Sequence, residues 1–135
     1  MSARTALVVD DSKSARFALR RYLEAQQFAV DTAESAEEAY GWLLTHRPEV
    51  IFLDHIMPGT DGFSALRQLK SDPRTLTIPV VICSSNEGEP FNQQARAQGA
   101  VGVLQKPPNP DQLLGLLRSL QSLAAVAAPP PVAAP

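Results

Sequence analysis

A chain of 135 residues, 44% apolar and 19% charged, holds enough core-forming material for one domain and too little for two of ordinary size. Twelve basic against 14 acidic residues leave a net charge of -2 with a mean hydropathy of -0.09, which excludes both a broad basic nucleic-acid grip and overall disorder. One cysteine permits no internal disulfide, no apolar run approaches the ~20 residues of a membrane span, and Met1-Ser2-Ala3-Arg4 leads directly into a strand-like run rather than a signal peptide, so a cytoplasmic protein is expected.

The first predicted element is the apolar run Ala6-Leu7-Val8-Val9. A helix follows, capped by Ser12, with Ala15, Ala18, Leu19, Tyr22 and Leu23 on one stripe. The mixed run Phe28 to Ala33 suits an edge strand. Ser35 and Glu38 then form a capping box for a helix carrying Ala36, Ala39, Tyr40, Leu43 and Leu44 on its buried side, and His46 before Arg47-Pro48 marks a helix end. Val50-Ile51-Phe52-Leu53 is the next strand. A third helix near Gly62 to Lys70 is supported by Phe63, Leu66 and Leu69, and the strand Val80-Val81-Ile82-Cys83 comes after it. Composition and length alone place a fourth helix near Pro90 to Gln98. Val101-Gly102-Val103-Leu104 is the last strand, and Asn109 with Pro110 opens a helix bearing Leu113, Leu116, Leu117 and Leu120. Four of the strands are continuously apolar, as strands covered on both faces are, and their alternation with helices predicts an α/β doubly wound five-stranded parallel sheet with five helices. Residues 124–135 contain only Ala, Val and Pro, so the folded domain is expected to be 1–123, with 124–135 as an Ala/Pro-rich tail or linker in which Pro129-Pro130-Pro131 favours extended geometry.

Ligands of such sheets bind beyond the carboxyl ends of the strands, where this chain carries Asp10 and Asp11, Asp54, Ser84 and Lys106. Each has an ordinary explanation alone: Asp10 and Asp11 as residues preceding a helix, Asp54 as a loop carboxylate, Ser84 as a loop hydroxyl, Lys106 as a solvated lysine. Brought together, three carboxylates would repel unless the lysine and a divalent cation compensate, and an all-oxygen ligand set suits Mg²⁺. Cys83 reads as a small apolar strand residue, His55 as a loop residue beside the site, and Trp42 and Phe91 as packing or surface aromatics.

The ordered set Val8-Val9-Asp10-Asp11-Ser12, Ile51-Phe52-Leu53-Asp54, Met57-Pro58-Gly59-Thr60-Asp61-Gly62, Pro79 to Ser85 and Lys106-Pro107 resembles the receiver domain of two-component response regulators across about residues 4 to 123. The resemblance implies a flavodoxin-like three-layer sandwich with strand order 2-1-3-4-5. It implies that Asp54 accepts a phosphoryl group from a sensor histidine kinase or a histidine phosphotransfer protein, with Mg²⁺ held by Asp10, Asp11, Asp54 and the backbone carbonyl of Ile56. Lys106 would supply a second positive charge, and the Ser84 hydroxyl would bond the acyl phosphate and carry its loop inward. Output would pass to a downstream protein or output domain through the face of the fourth helix, fifth strand and fifth helix, with no direct nucleic acid or membrane contact, and a phosphorylation-dependent homodimer is compatible with this. On this reading the protein is a signalling phosphoacceptor rather than an enzyme.

Val103 departs from the pattern, standing where many receivers carry Tyr or Phe, so the usual aromatic relay is not carried over. Ile56 and Asn86 occupy positions that tune dephosphorylation in the family, and Gln105 is another variable site. Pro107 admits a cis bond that would aim Lys106 inward. A constitutive docking module keeping an unused site is the competing reading. A flavodoxin-like electron carrier fails because Asp10-Asp11 would repel the flavin phosphate, and a haloacid-dehalogenase-like phosphatase fails because Ile56 stands where it needs a second acid. Too few residues follow Leu123 for an output domain, which leaves either a stand-alone receiver or one joined through the tail to more chain.

Overall fold

The computed structural model describes residues 4–86 and 88–127, with side chains through Leu120. Five parallel strands, β1 (Arg4–Val9), β2 (Phe28–Ala33), β3 (Val50–Asp54), β4 (Val80–Ser84) and β5 (Gly102–Gln105), form one sheet in the order β2-β1-β3-β4-β5. The helices are α1 (Lys13–Ala25), α2 (Ala36–Leu43), α3 (Gly62–Ser71), α4 (Glu89–Ala97) and α5 (Pro110–Ala127). This is the predicted doubly wound order, and every predicted element is present within a few residues of its expected place.

Alternation along the covered strands divides the core in two. Leu7, Val9, Ile51, Leu53, Val80, Ile82 and Val103 face α2, α3 and α4, which contribute Ala36, Ala39, Ala65, Leu66, Leu69 and Ala95. Ala6, Val8, Phe52, Val81, Cys83 and Leu104 face α1 and α5, which contribute Leu19, Leu23, Leu113 and Leu117. β2 is an edge strand in which buried Phe28 and Val30 alternate with exposed Ala29 and Asp31, while Ala33 at its end is buried on the opposite face, which explains its mixed sequence.

The caps act where the sequence places them. Ser12 accepts from the Ala15 N–H, Ser35 accepts from the Glu38 N–H at 3.1 Å while Glu38 bonds back to the Glu34 N–H at 3.2 Å, and Asn109 accepts from Asp111 and Gln112. The ring of His46 stacks on Trp42 at 4.3 Å with Nδ1 3.0 Å from the Trp42 carbonyl, closing the end of α2. α5 continues four residues past Leu123 to Ala127, a course suited to the strong helix propensity of Ala124, Ala125 and Ala127. The extended geometry expected for Pro129-Pro130-Pro131 lies outside the described residues.

Candidate functional site

Parallel pairing brings the carboxyl ends of β1 and β3 side by side, with Val9 opposite Leu53, so the residues after them share one edge of the sheet. Asp10 is buried, and its two carboxylate oxygens have separate partners. Oδ1 accepts the Ser12 N–H at 2.9 Å, turning the chain into α1, and Oδ2 accepts from Lys106 Nζ at 2.8 Å. Arg16 secures the same turn by donating to the Asp10 carbonyl at 2.7 Å. Asp54 is the last residue of β3, 5% exposed, and its Oδ1 accepts from the same Lys106 ammonium at 3.0 Å. Asp11 is exposed, and its carboxylate lies with those of Asp10 and Asp54 inside a sphere of ligand atoms no more than 4.8 Å apart.

Three carboxylates around one ammonium leave an excess of negative charge at close quarters. Burial pushes the Asp54 carboxyl up to about 6, the Lys106 bond pulls it back, and the charge of Asp10 pushes it up again. Burial draws the Lys106 ammonium down, but the bonds and charges of Asp10 and Asp54 outweigh it, so its pKa is raised overall. A cluster of hard oxygen donors with unbalanced negative charge, open to solvent on the Asp11 side, fits a divalent cation of the Mg²⁺ kind.

Ser84 ends β4 and is buried, its hydroxyl accepting the Asn86 N–H at 3.0 Å and lying 3.4 Å from His55 Nδ1. The sequence-predicted set thus falls into two groups: Asp10, Asp11, Asp54 and Lys106 meet directly, while Ser84 is engaged with its own loop and with His55. Ile56 follows in the loop with its side chain 70% exposed, and Asn86 accepts from Gln105 Nε2 at 3.1 Å. The Lys106–Pro107 bond is cis. Gly62 sits directly under the end of β3: its N–H donates to the His55 carbonyl at 2.8 Å, and a Cβ there would overlap the Asp54 carbonyl and come within 2.8 Å of the His55 Cα. The loop from Met57 to Asp61 therefore folds back tightly against the strand bearing Asp54.

Two arrangements escape a reading of the sequence. Gln112 on α5 accepts the Gln105 N–H at 3.2 Å and donates to the Val103 carbonyl at 3.4 Å, tying α5 to β5 just before Lys106. His55 forms an aromatic triangle with Phe63 and Phe91, at centroid distances of 4.8 Å and 5.0 Å, with 5.5 Å between the phenylalanines. Residue type and spacing place His55 in a loop, Phe63 on the third helix and Phe91 among packing or surface aromatics, but their meeting depends on the height of α3 and α4 above β3, on which residue spacing carries no signal. Cys83 is buried in the α1–α5 core as expected, and burial pushes its thiol pKa far up. Among the described residues, no helix is long and apolar enough to cross a membrane.

A family model described as response regulator receiver domain matches residues 6–118. Response regulator PleD of Caulobacter vibrioides is 39% identical over 120 residues, covering 89% of this chain and 26% of PleD, so the chain spans about a quarter of that relative's length. Protein PilH of Pseudomonas aeruginosa is 33% identical over 114 residues, covering 84% of this chain and 94% of PilH. Among solved structures, the chemotaxis response regulator CheY4 of Vibrio cholerae is similar with a TM-score of 0.81 at 29% identity, covering 88% of this chain and 99% of that one.

Proposed function

The chain belongs to the response regulator receiver domain family of two-component signalling, and from that premise we propose that Asp54 is its phosphoacceptor. The observation that carries this reading is the seat of Asp54: a buried strand-end carboxylate bonded by Lys106 at 3.0 Å, beside Asp10 and Asp11. Buried carboxylates gathered around one ammonium at a strand end are a mark of functional sites.

In the proposed reaction an Asp54 carboxylate oxygen attacks the phosphorus of a phosphohistidine. The oxygen–phosphorus bond forms as the phosphorus–nitrogen bond breaks, and the bonding pair returns to the imidazole of the donor. Little covalent chemistry is asked of the protein; its part is to position groups and to neutralise charge. Lys106, already bridging Asp10 and Asp54, is within reach of a phosphoryl oxygen on Asp54 and offsets part of its charge. Asp10, Asp11, Asp54 and the Ile56 carbonyl would hold Mg²⁺, which when bound supplies further neutralisation of the phosphoryl oxygens. Ser84 turns its hydroxyl to the acyl phosphate and draws the β4–α4 loop with it, converting an added charge of about -1.5 to -2 into a change of surface.

A sensor histidine kinase or histidine phosphotransfer protein is the proposed donor, in the cytoplasm, and a downstream protein or output domain reads the α4–β5–α5 face. A phosphorylation-dependent homodimer through that face is a further proposal of the same kind. The test is direct. With Mg²⁺ and acetyl phosphate, intact-mass measurement should record one phosphoryl group on the native chain and none on Asp54→Asn; persistence of the added mass in that variant would falsify the assignment. The alternative, a docking module indifferent to phosphorylation, predicts the same partner affinity with and without the phosphodonor.

A further inference from the structure

We propose that His55, held between Ser84, Phe63 and Phe91, transmits the state of Asp54 to α4, taking the part that an aromatic ring at position 103 would otherwise play. This rests on the phosphoacceptor reading above and adds to it a positioning residue.

The argument starts from one proton. His55 is assigned the Nε2–H tautomer, in which Nδ1, 3.4 Å from the Ser84 oxygen, accepts the single hydroxyl hydrogen while that oxygen accepts the Asn86 N–H. A phosphoryl group on Asp54 presents charged acceptor oxygens, which draw a hydroxyl proton more strongly than a neutral imidazole nitrogen does. One proton cannot serve both. Phosphorylation therefore takes the Ser84 hydrogen bond away from His55.

The backbone of His55 cannot follow. Its N–H donates to the Cys83 carbonyl at 2.9 Å and its carbonyl accepts from Gly62 at 2.8 Å, so it is fixed to β4 on one side and to the start of α3 on the other. Only the ring is free to respond, and the ring rests edge-on against Phe91 at 5.0 Å with an interplanar angle of 62°. Phe91 lies in the first turn of α4. That helix is weakly held. Its N-cap, Gly88, provides no side-chain bond, and Ala95 is its single buried residue, whereas α3 buries Gly62, Ala65, Leu66 and Leu69. A change in the seat of His55 thus falls on the element least able to resist it. Val103, buried beneath in the same core cluster, has no ring with which to report.

The experiment uses the full chain, ¹⁵N-labelled, with acetyl phosphate and Mg²⁺, and reads three quantities: added mass, the His55 Nδ1 resonance, and the amide resonances of residues 89–97. Phosphorylation should move Nδ1, and Ser84→Ala should move it in the same direction without a phosphodonor, because both remove its hydrogen-bond donor. His55→Phe keeps a ring against Phe91 but has no Nδ1; per phosphoryl group bound, it should lose the α4 response. An Nδ1 resonance that ignores phosphorylation, or a full α4 response in His55→Phe at equal phosphorylation, overturns the proposal. If the native chain gains no mass, the phosphoacceptor reading itself fails and this inference with it, and the mass spectrum tells that failure from the other two.

Discussion

Lys106 joins two carboxylates with one ammonium, and that economy leaves the site strained in the absence of a cation. Asp54, raised to about 6 when folded against an ordinary value of 3.8, holds its proton more tightly in the folded state. Stability without metal therefore falls as the pH rises from about 4 through 6, and is recovered as the pH drops back through that range. Thermal unfolding in EDTA should show this slope, and Asp54→Asn should flatten it and raise stability at pH 7.5 by on the order of 1–3 kcal/mol. A variant whose pH profile matches the native one would refute the placement of the charge. Lys106→Met removes the shared ammonium, and in EDTA at pH 7.5 it should cost about 2 kcal/mol, because Asp10 and Asp54 are left without a cation. Urea titration should show that loss shrinking at pH 5, where Asp54 takes up a proton, and shrinking again in Mg²⁺.

The junction of β3 with α3 is the tightest approach in the site. Alanine at position 62 would drive a methyl into the backbone of Asp54 and His55, so Gly62→Ala should destabilise the fold by about 3 kcal/mol and displace Asp54, the proposed phosphoacceptor, lowering the rate of phosphorylation together with the stability. By contrast Ser35→Ala removes only the N-cap bond of α2 and should cost about 1 kcal/mol in urea unfolding and leave the phosphorylation rate as it was. These elements were legible in the sequence to different degrees. Capping signals at Ser12, Ser35 and Asn109 and the apolar runs of four strands declare themselves, since local hydrogen bonding and two-sided burial write directly into residue type. So do the strand-end residues Asp10, Asp54 and Lys106, once the order of strands is granted. The aromatic triangle and the Gln112 bonds are not legible, because they depend on how far each helix is offset along the sheet. α4 is the weakest element in both respects: it has little sequence signal because it buries little, and for the same reason it is the helix most easily displaced.

Over the described residues, the two core clusters are separate hydrophobic bodies divided by the sheet, and the acidic cluster proposed to hold a cation sits where strands facing both of them end. Ligand binding there should stabilise the entire fold rather than a local loop. A Mg²⁺ concentration 100-fold above its dissociation constant adds about 2.7 kcal/mol, so the melting temperature should climb with Mg²⁺ in the native chain and respond far less in Asp54→Asn. Calorimetry at several Mg²⁺ concentrations measures this, and equal responses in the two proteins would place the ion elsewhere. Cys83 makes such changes visible by another route. It is the chain's lone thiol, 5% exposed and opposite Asp54 in the β3–β4 register. A thiol reagent reaches it only when the inner sheet separates from α1 and α5, so labelling under native conditions counts openings of the molecule one at a time. That clock needs no engineered residue. It should slow whenever the neighbouring carboxylate gains a cation or a phosphoryl group, and the ratio of rates gives directly how much rarer opening has become.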